Sequence, residues 1–237
     1  MLRRDRGPRR PGDILPAMPA LLDQVDLPLR RPTPARWAAM VLAEPHLLLS
    51  DHAHLERKAA TNALDLLHQW PDPIPPDDWV TTMTAVAGEE ADHLQIVLRI
   101  LHKRGGSFSR SHRNPYAKAL RELIRVGGGS AEARRDALMD RLMVSALIEV
   151  RSCERFACLA DHLAQTGSDP ELAKLYKGLW ASEHGHYLTF LSLARQLPHT
   201  PADTIEERWQ QMLDAETDIL DQQPAYAGMH SGVDTDA

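Results

Sequence analysis

The chain has 237 residues, a length that suits one large domain or two small ones. Hydrophobic residues make up 43% and aromatics only 5%, so the core must be mostly Leu, Ala, Val, Met and Ile, which favours helices over sheet. A net charge of −6 excludes a wholly basic nucleic-acid binder but not a local basic patch, and no stretch approaches the ~18 apolar residues of a membrane span.

The N-terminal region is predicted to be extended or irregular, because eight of the seventeen prolines fall in the first 45 residues. Eight arginines face four aspartates over the same stretch, so residues 1–30 read as a basic arm. That arm contains no signal-peptide apolar core.

From His46 onward, proline and glycine clusters separate long runs with helical spacing of apolar residues. Helices are predicted near 46–69, 77–103, 131–165 and 171–197, with shorter ones near 115–126 and 202–221. Pro170 and Pro201 suit helix starts, where a missing N–H costs nothing. Four long helices with a crossover between the second and third, carrying an extra helix, describe an all-α four-helix bundle over residues 31–200. A C-terminal helix and an acidic tail occupy 201–237, and the last dozen residues read as disordered. Cys153 and Cys158 stand five apart in a helical segment and point different ways, so a disulfide between them is geometrically poor and a cytoplasmic location is expected.

Each long helix carries a glutamate in the middle of its apolar stripe. Glu56 shares a face with Leu49, Ala53, Ala63 and Leu67; Glu90 with Met83, Val86, Val97 and Leu101; Glu149 with Leu142, Ala146 and Phe156; Glu183 with Tyr176, Leu179 and Phe190. A buried lone carboxylate costs several kcal/mol, so something cationic must sit among them. Two of the four are followed three residues later by histidine, in Glu90-Ala-Asp-His93 and Glu183-His-Gly-His186, and a pair three apart on a helix can grip one ion. The separations also repeat: Glu56 to Glu90 and Glu149 to Glu183 are both 34, and Glu56 to His93 and Glu149 to His186 are both 37. Four carboxylates and two imidazoles match the ligand set of a di-iron or di-manganese centre in a ferritin-like bundle. Oxygen-rich ligation with two nitrogens suits iron or manganese and excludes a thiolate zinc site.

Other acids and histidines nearby fit less well. Glu154 lies between Arg151 and Arg155 and breaks the 34-residue match, which suggests a surface or supporting ion pair. Asp92, paired with Glu89, falls on the wrong side of the stripe. Neither His52 nor His184 is expected to touch metal; His52 shares the face of Glu56, where a supporting role and a merely packed or solvent-facing histidine both remain open.

The segments Asp51-His-Ala-His-Leu-Glu-Arg-Lys-Ala-Ala60, Gly88-Glu-Glu-Ala-Asp-His93, Ala146-Leu-Ile-Glu-Val-Arg-Ser-Cys-Glu-Arg-Phe156 and Ser182-Glu-His-Gly-His186 resemble the MiaE family of tRNA hydroxylases, over roughly Leu27 to Leu197. The resemblance implies a ferritin-like di-iron monooxygenase that hydroxylates the isopentenyl side chain of 2-methylthio-isopentenyladenosine beside the tRNA anticodon. It carries the family's ligands onto Glu56, Glu90, His93, Glu149, Glu183 and His186. Glu90 and Glu183 would then bridge two irons, with Glu56 and His93 completing one and Glu149 and His186 the other. External electrons are required and the chain has no flavin or iron–sulfur motif, so a reductase partner is implied.

A tRNA partner needs phosphate contacts. From Arg99 to Arg125 there are eight basic residues against Glu122 alone, and Lys103, Arg104, Arg110, Arg113 and Lys118 are the expected nucleic-acid contacts, with Phe108 and Tyr116 available for stacking on bases. The competing expectation is a ferritin-like protein that oxidises or stores iron without an organic substrate. That protein would need to assemble into a shell and would take up metal well beyond two ions per chain.

Overall fold

The computed structural model describes residues 20–24 and 26–233. Most of the predicted arm, residues 1–19 and Val25, therefore lies outside the described residues, as do residues 234–237 at the other end. The described chain is helical: α1 (Arg36–Leu42), α2 (Pro45–Leu66), α3 (Asp77–Lys103), α4 (Pro115–Glu122), α5 (Ala131–Thr166), α6 (Pro170–Arg195) and α7 (Ala202–Asp221), with short 3-10 turns at Leu21–Gln24 and Leu67–Gln69. None of these helices is long and apolar enough to cross a membrane.

Local chemistry sets the boundaries. Pro45, Pro115 and Pro170 open their helices, and Asn114, Ser130 and Asp169 each accept a backbone N–H three residues on, from Ala117, Ala133 and Leu172. The 36-residue α5 stops at Gly167, whose left-handed φ of 64° lets its N–H turn back to the Leu163 carbonyl. With three residues between them, α5 and α6 form one antiparallel hairpin; α2 and α3 form the other, and the crossover from 104 to 130 carries α4.

Two apolar clusters fill the bundle. One gathers Trp79, Met83, Leu142, Met143, Phe190 and Trp209; the other gathers Trp37, Leu48, Leu101, Phe156, Leu172 and Tyr176. Every long helix runs from one cluster into the other and carries its inward glutamate at the crossing point. Glu56 separates Ala53 from Ala63, Glu90 separates Ala87 from Val97, Glu149 separates Ala146 from Phe156, and Glu183 separates Leu179 from Tyr187. The polar layer between two dry cores is therefore built by register along the helices.

Two parts of the chain depart from the sequence expectation. The irregular first 45 residues contain α1, which has no side-chain cap and is held by tertiary contacts. Trp37 is fully buried, its Nε1 donates to Ser231 Oγ at 3.0 Å, and the Arg155 guanidinium lies 4.4 Å over its ring. The stretch read as a disordered tail is instead packed as far as Val233. Met229, His230 and Ser231 are buried, Met229 N donates to Asp51 Oδ2 at 2.8 Å, and Arg155 Nη1 donates to the carbonyls of Met229 and Ser231 at 2.6 and 2.8 Å. Composition alone could not reveal this, because the partners that satisfy the tail's backbone lie 70 to 180 residues away.

Candidate metal centre

The polar layer brings all six predicted side chains together. Glu56, Glu90, His93 and Glu183 each offer one ligand atom within 4.8 Å of the others, and so do Glu90, Glu149, Glu183 and His186. Glu90 and Glu183 belong to both groups, so the two clusters interlock through them. His93 Nδ1 lies 3.4 Å from Glu183 Oε1, 3.6 Å from Glu90 Oε2 and 3.8 Å from Glu56 Oε2, while His186 Nδ1 lies 2.7 Å from Glu90 Oε1.

The electrostatics show what the site is suited to hold. Both oxygens of Glu90, Oε1 of Glu183 and Nδ1 of both histidines are buried without an oriented hydrogen bond. Burial, followed by the charge of neighbouring carboxylates, pushes Glu90, Glu149 and Glu183 above the usual carboxylate range. Burial would lower the two imidazoles, but the surrounding glutamates overcome it and raise His93 to about 12 and His186 to about 9. Glu56 moves oppositely: burial would raise it, yet His52 by charge and hydrogen bond, assisted by His93, holds it well below the carboxylate range. A set of converging carboxylates with orphaned lone pairs, which can stay in a dry layer only by taking up protons, is donor chemistry that a bound metal cation satisfies.

The residues weighed as neighbours fall into supporting places. His52 Nε2 lies 2.5 Å from Glu56 Oε1, and its ring sits against Phe156 and Tyr176. Glu154 makes an ion pair, but a buried one. It accepts from Thr33 N at 2.6 Å, Thr33 Oγ1 at 2.7 Å and Arg151 Nη1 at 2.5 Å, tying the N-terminal region to α5. Sequence reasoning missed two partners: Glu89, whose Oε2 lies 2.9 Å from His186 Nε2, and Glu216, held by two hydrogen bonds from Arg151 at 2.9 Å each. Glu216 carried a readable signal, since it sits on the apolar face of α7 with Met212, Leu213 and Leu220.

The predicted nucleic-acid contacts divide. Arg104 is bound to Asp169 and Glu171 and Lys103 to Glu171, which clamps the end of α3 to the start of α6. Arg110, Arg113 and Lys118 are exposed. Phe108 stacks on His54 with ring centroids 4.1 Å apart, and Tyr116 is fully buried with its hydroxyl donating to Glu216, so Tyr116 is not available to a base.

A cavity of about 390 Å³ opens between α2, α4 and α5 and reaches Glu149. Leu55, Ala59, Ile148 and Glu149 line both this cavity and a small void of about 20 Å³ bounded by Glu56, Glu90, Glu149 and Glu183. The walls are mixed: Leu55, Ala59, Val144 and Ile148 are apolar, Lys58, Arg121, Arg125 and Arg141 are charged, and Asn62 donates from Nδ2 to Ser145 Oγ at 2.9 Å. Sequence reasoning could not foresee the cavity, because its walls come from three helices far apart in the chain.

The profile of the family described as tRNA-(MS[2]IO[6]A)-hydroxylase (MiaE) matches residues 20–231, nearly the whole described chain. The chain belongs to the MiaE family. A curated MiaE relative, tRNA 2-(methylsulfanyl)-N(6)-isopentenyladenosine(37) hydroxylase of Pseudomonas putida, is 38% identical over 74% of this chain and 78% of that protein. The Salmonella typhimurium protein of the same name is 28% identical over 91% of this chain and 92% of its own length. Among solved structures, a Synechococcus protein described as having aldehyde deformylating oxygenase activity superposes with a TM-score of 0.75 at 32% identity, covering 88% of this chain and 98% of its own. The bundle is accordingly ferritin-like, as the paired Glu and Glu-x-x-His pattern predicted.

Proposed function

We propose that this MiaE-family chain is an O₂-dependent di-iron monooxygenase that hydroxylates the isopentenyl side chain of 2-methylthio-isopentenyladenosine next to the anticodon of tRNA. The observation that carries the reading is the pair of interlocked carboxylate–histidine clusters, one of whose members, Glu149, lines a cavity beside the apolar Leu55, Ala59 and Ile148. The names of the Pseudomonas and Salmonella relatives support the substrate.

Two iron ions held by Glu56, Glu90, His93, Glu149, Glu183 and His186 would supply the activation of O₂ needed to attack an unactivated C–H bond. The rest is the protein's work. Glu90 and Glu183, shared by both clusters, are the bridging candidates; Glu89 and His52 orient His186 and Glu56 from behind. Leu55, Ala59 and Ile148 offer a prenyl chain an apolar path towards Glu149, and the two apolar cores exclude water from the layer beyond. Of the five contacts expected from the sequence, Arg110, Arg113 and Lys118 are left to meet RNA phosphates. The electrons come from a separate reductase, and a tRNA substrate together with two free cysteines fits the cytoplasm. Iron oxidation or storage alone would give the cavity no purpose.

The test supplies iron-loaded protein with O₂, an electron source and tRNA bearing the modified adenosine. Nucleoside mass spectrometry should show one added oxygen, labelled from ¹⁸O₂ and not from water. Consumption of O₂ and oxidation of iron with the nucleoside unchanged would return the chain to the iron-oxidising reading.

A further inference from the structure

A second depression, about 380 Å³, lies beside the cavity mouth and shares Lys58, Asn62, Arg121 and Arg141 with it. Arg57 adds a fourth cation. These residues come from three separate elements, α2, α4 and α5, so their meeting is a product of packing and not of a basic run in the chain. Among the described residues the guanidinium groups of Arg57, Arg121 and Arg141 have no carboxylate partner, and all three side chains are exposed. Lys58 is half-buried between them and donates to His112 Nδ1 at 2.8 Å.

The acids nearby do not neutralise the group. Asp136 and Asp140 are bound to Arg125, with Asp140 also held by Arg208; Asp65 is the one acid lining the depression. Four like charges gathered at a cavity mouth without paired carboxylates form an anion site, because the repulsion between them is relieved when a polyanion arrives. The cavity behind them, about 390 Å³, lies in the ~300–1,000 Å³ range of small-molecule sites.

We propose that Arg57, Lys58, Arg121 and Arg141 form a phosphate clamp that holds the backbone of a single-stranded RNA loop on either side of one extruded purine nucleotide, whose base and side chain enter the cavity. This rests on the reading of tRNA as substrate and moves the main footprint away from Lys103 and Arg104, which are committed to α6. A loop nucleotide is already unpaired, so turning it into the cavity costs little. Backbone contacts set its register, and the cavity reads what it carries.

The experiment measures binding of tRNA carrying the modified adenosine from 50 to 200 mM salt. The triple variant Arg57→Gln, Arg121→Gln, Arg141→Gln should weaken binding on the order of 10²-fold at the lower salt and reduce the log–log salt slope by about 2 to 3. Its metal content and melting temperature should match those of the unaltered chain, which separates a phosphate contact from a structural role. The double variant Lys103→Gln, Arg104→Gln should shift affinity by no more than about twofold. If the unaltered chain binds and hydroxylates tRNA while the triple variant keeps its affinity and slope, or if the double variant carries the loss, the clamp is wrong and the function stands. If the unaltered chain shows no salt-dependent tRNA binding, the clamp and the function fall together.

Discussion

Glu89 Oε2 lies 2.9 Å from His186 Nε2, which leaves Nδ1 as the ring nitrogen turned towards Glu90, 2.7 Å away. An outer carboxylate of this kind fixes the tautomer and ring orientation of a metal-binding histidine. Glu89 is largely exposed, so replacing it disturbs orientation without opening the core. Glu89→Ala should weaken metal binding about 10-fold or more, with an unchanged melting temperature for the metal-free protein, and Glu89→Gln should recover part of the loss. Competition with a metal-sensitive dye reads the affinity. An unchanged affinity would show that His186 is oriented by packing alone.

Glu149 and Glu154 lie five residues apart on α5 and should behave differently on replacement. Glu149→Ala removes one carboxylate from a repelling cluster, so it should lose metal while leaving the metal-free fold as stable or more stable. Glu154→Ala should keep most of the metal but unfold more easily, by about 3–5 kcal/mol, because Arg151 loses a buried partner and Thr33 its acceptor. Metal analysis paired with denaturant titration distinguishes them. The reverse assignment of losses would place the third-helix ligand at Glu154.

Removal of metal should make stability fall as pH rises. Glu90, Glu149 and Glu183 have raised values in the fold, and so do His93 and His186, so the metal-free folded state holds protons that the unfolded chain releases. Such stabilisation is complete below the ordinary values of about 4.5 and 6.5 and is lost as pH climbs through the raised ones, which for His186 is about 9. Glu56 is lowered instead, and its contribution disappears only in strong acid, so it does not reverse the trend above pH 5. Between about pH 5 and 9 the metal-free protein should lose on the order of 5 °C or more in Tm, whereas the metal-loaded protein stays nearly flat. Parallel curves for the two forms would mean that these carboxylates are not the metal's ligands.

Ala59 lines both the cavity and the void at the clusters, so it stands where the two come together. Ala59→Phe should fill the space between them and lower kcat/KM for tRNA hydroxylation about 10²-fold, leaving metal content unaltered. Full activity in this variant would direct the substrate to another approach.

What could be read from the sequence alone follows from helix periodicity. Apolar spacing marks α2, α3, α5 and α6, and the repeated separations of 34 and 37 put Glu56, Glu90, His93, Glu149, Glu183 and His186 on inward faces at matching heights. These properties are local, and the structure gathers the six side chains as their spacing suggests. Contacts between distant segments were decided only by the tertiary structure. The same arginine type serves three purposes: Arg104 binds Asp169, Arg155 holds the C-terminal backbone, and Arg121 is left without a carboxylate at the cavity mouth. Tyr116, Glu154 and the stretch from Pro224 to Val233 look exposed by type or composition and are ordered by partners far along the chain. A residue's helical face is set by its neighbours within two turns, whereas the charge or backbone group that meets it is chosen by how the helices pack.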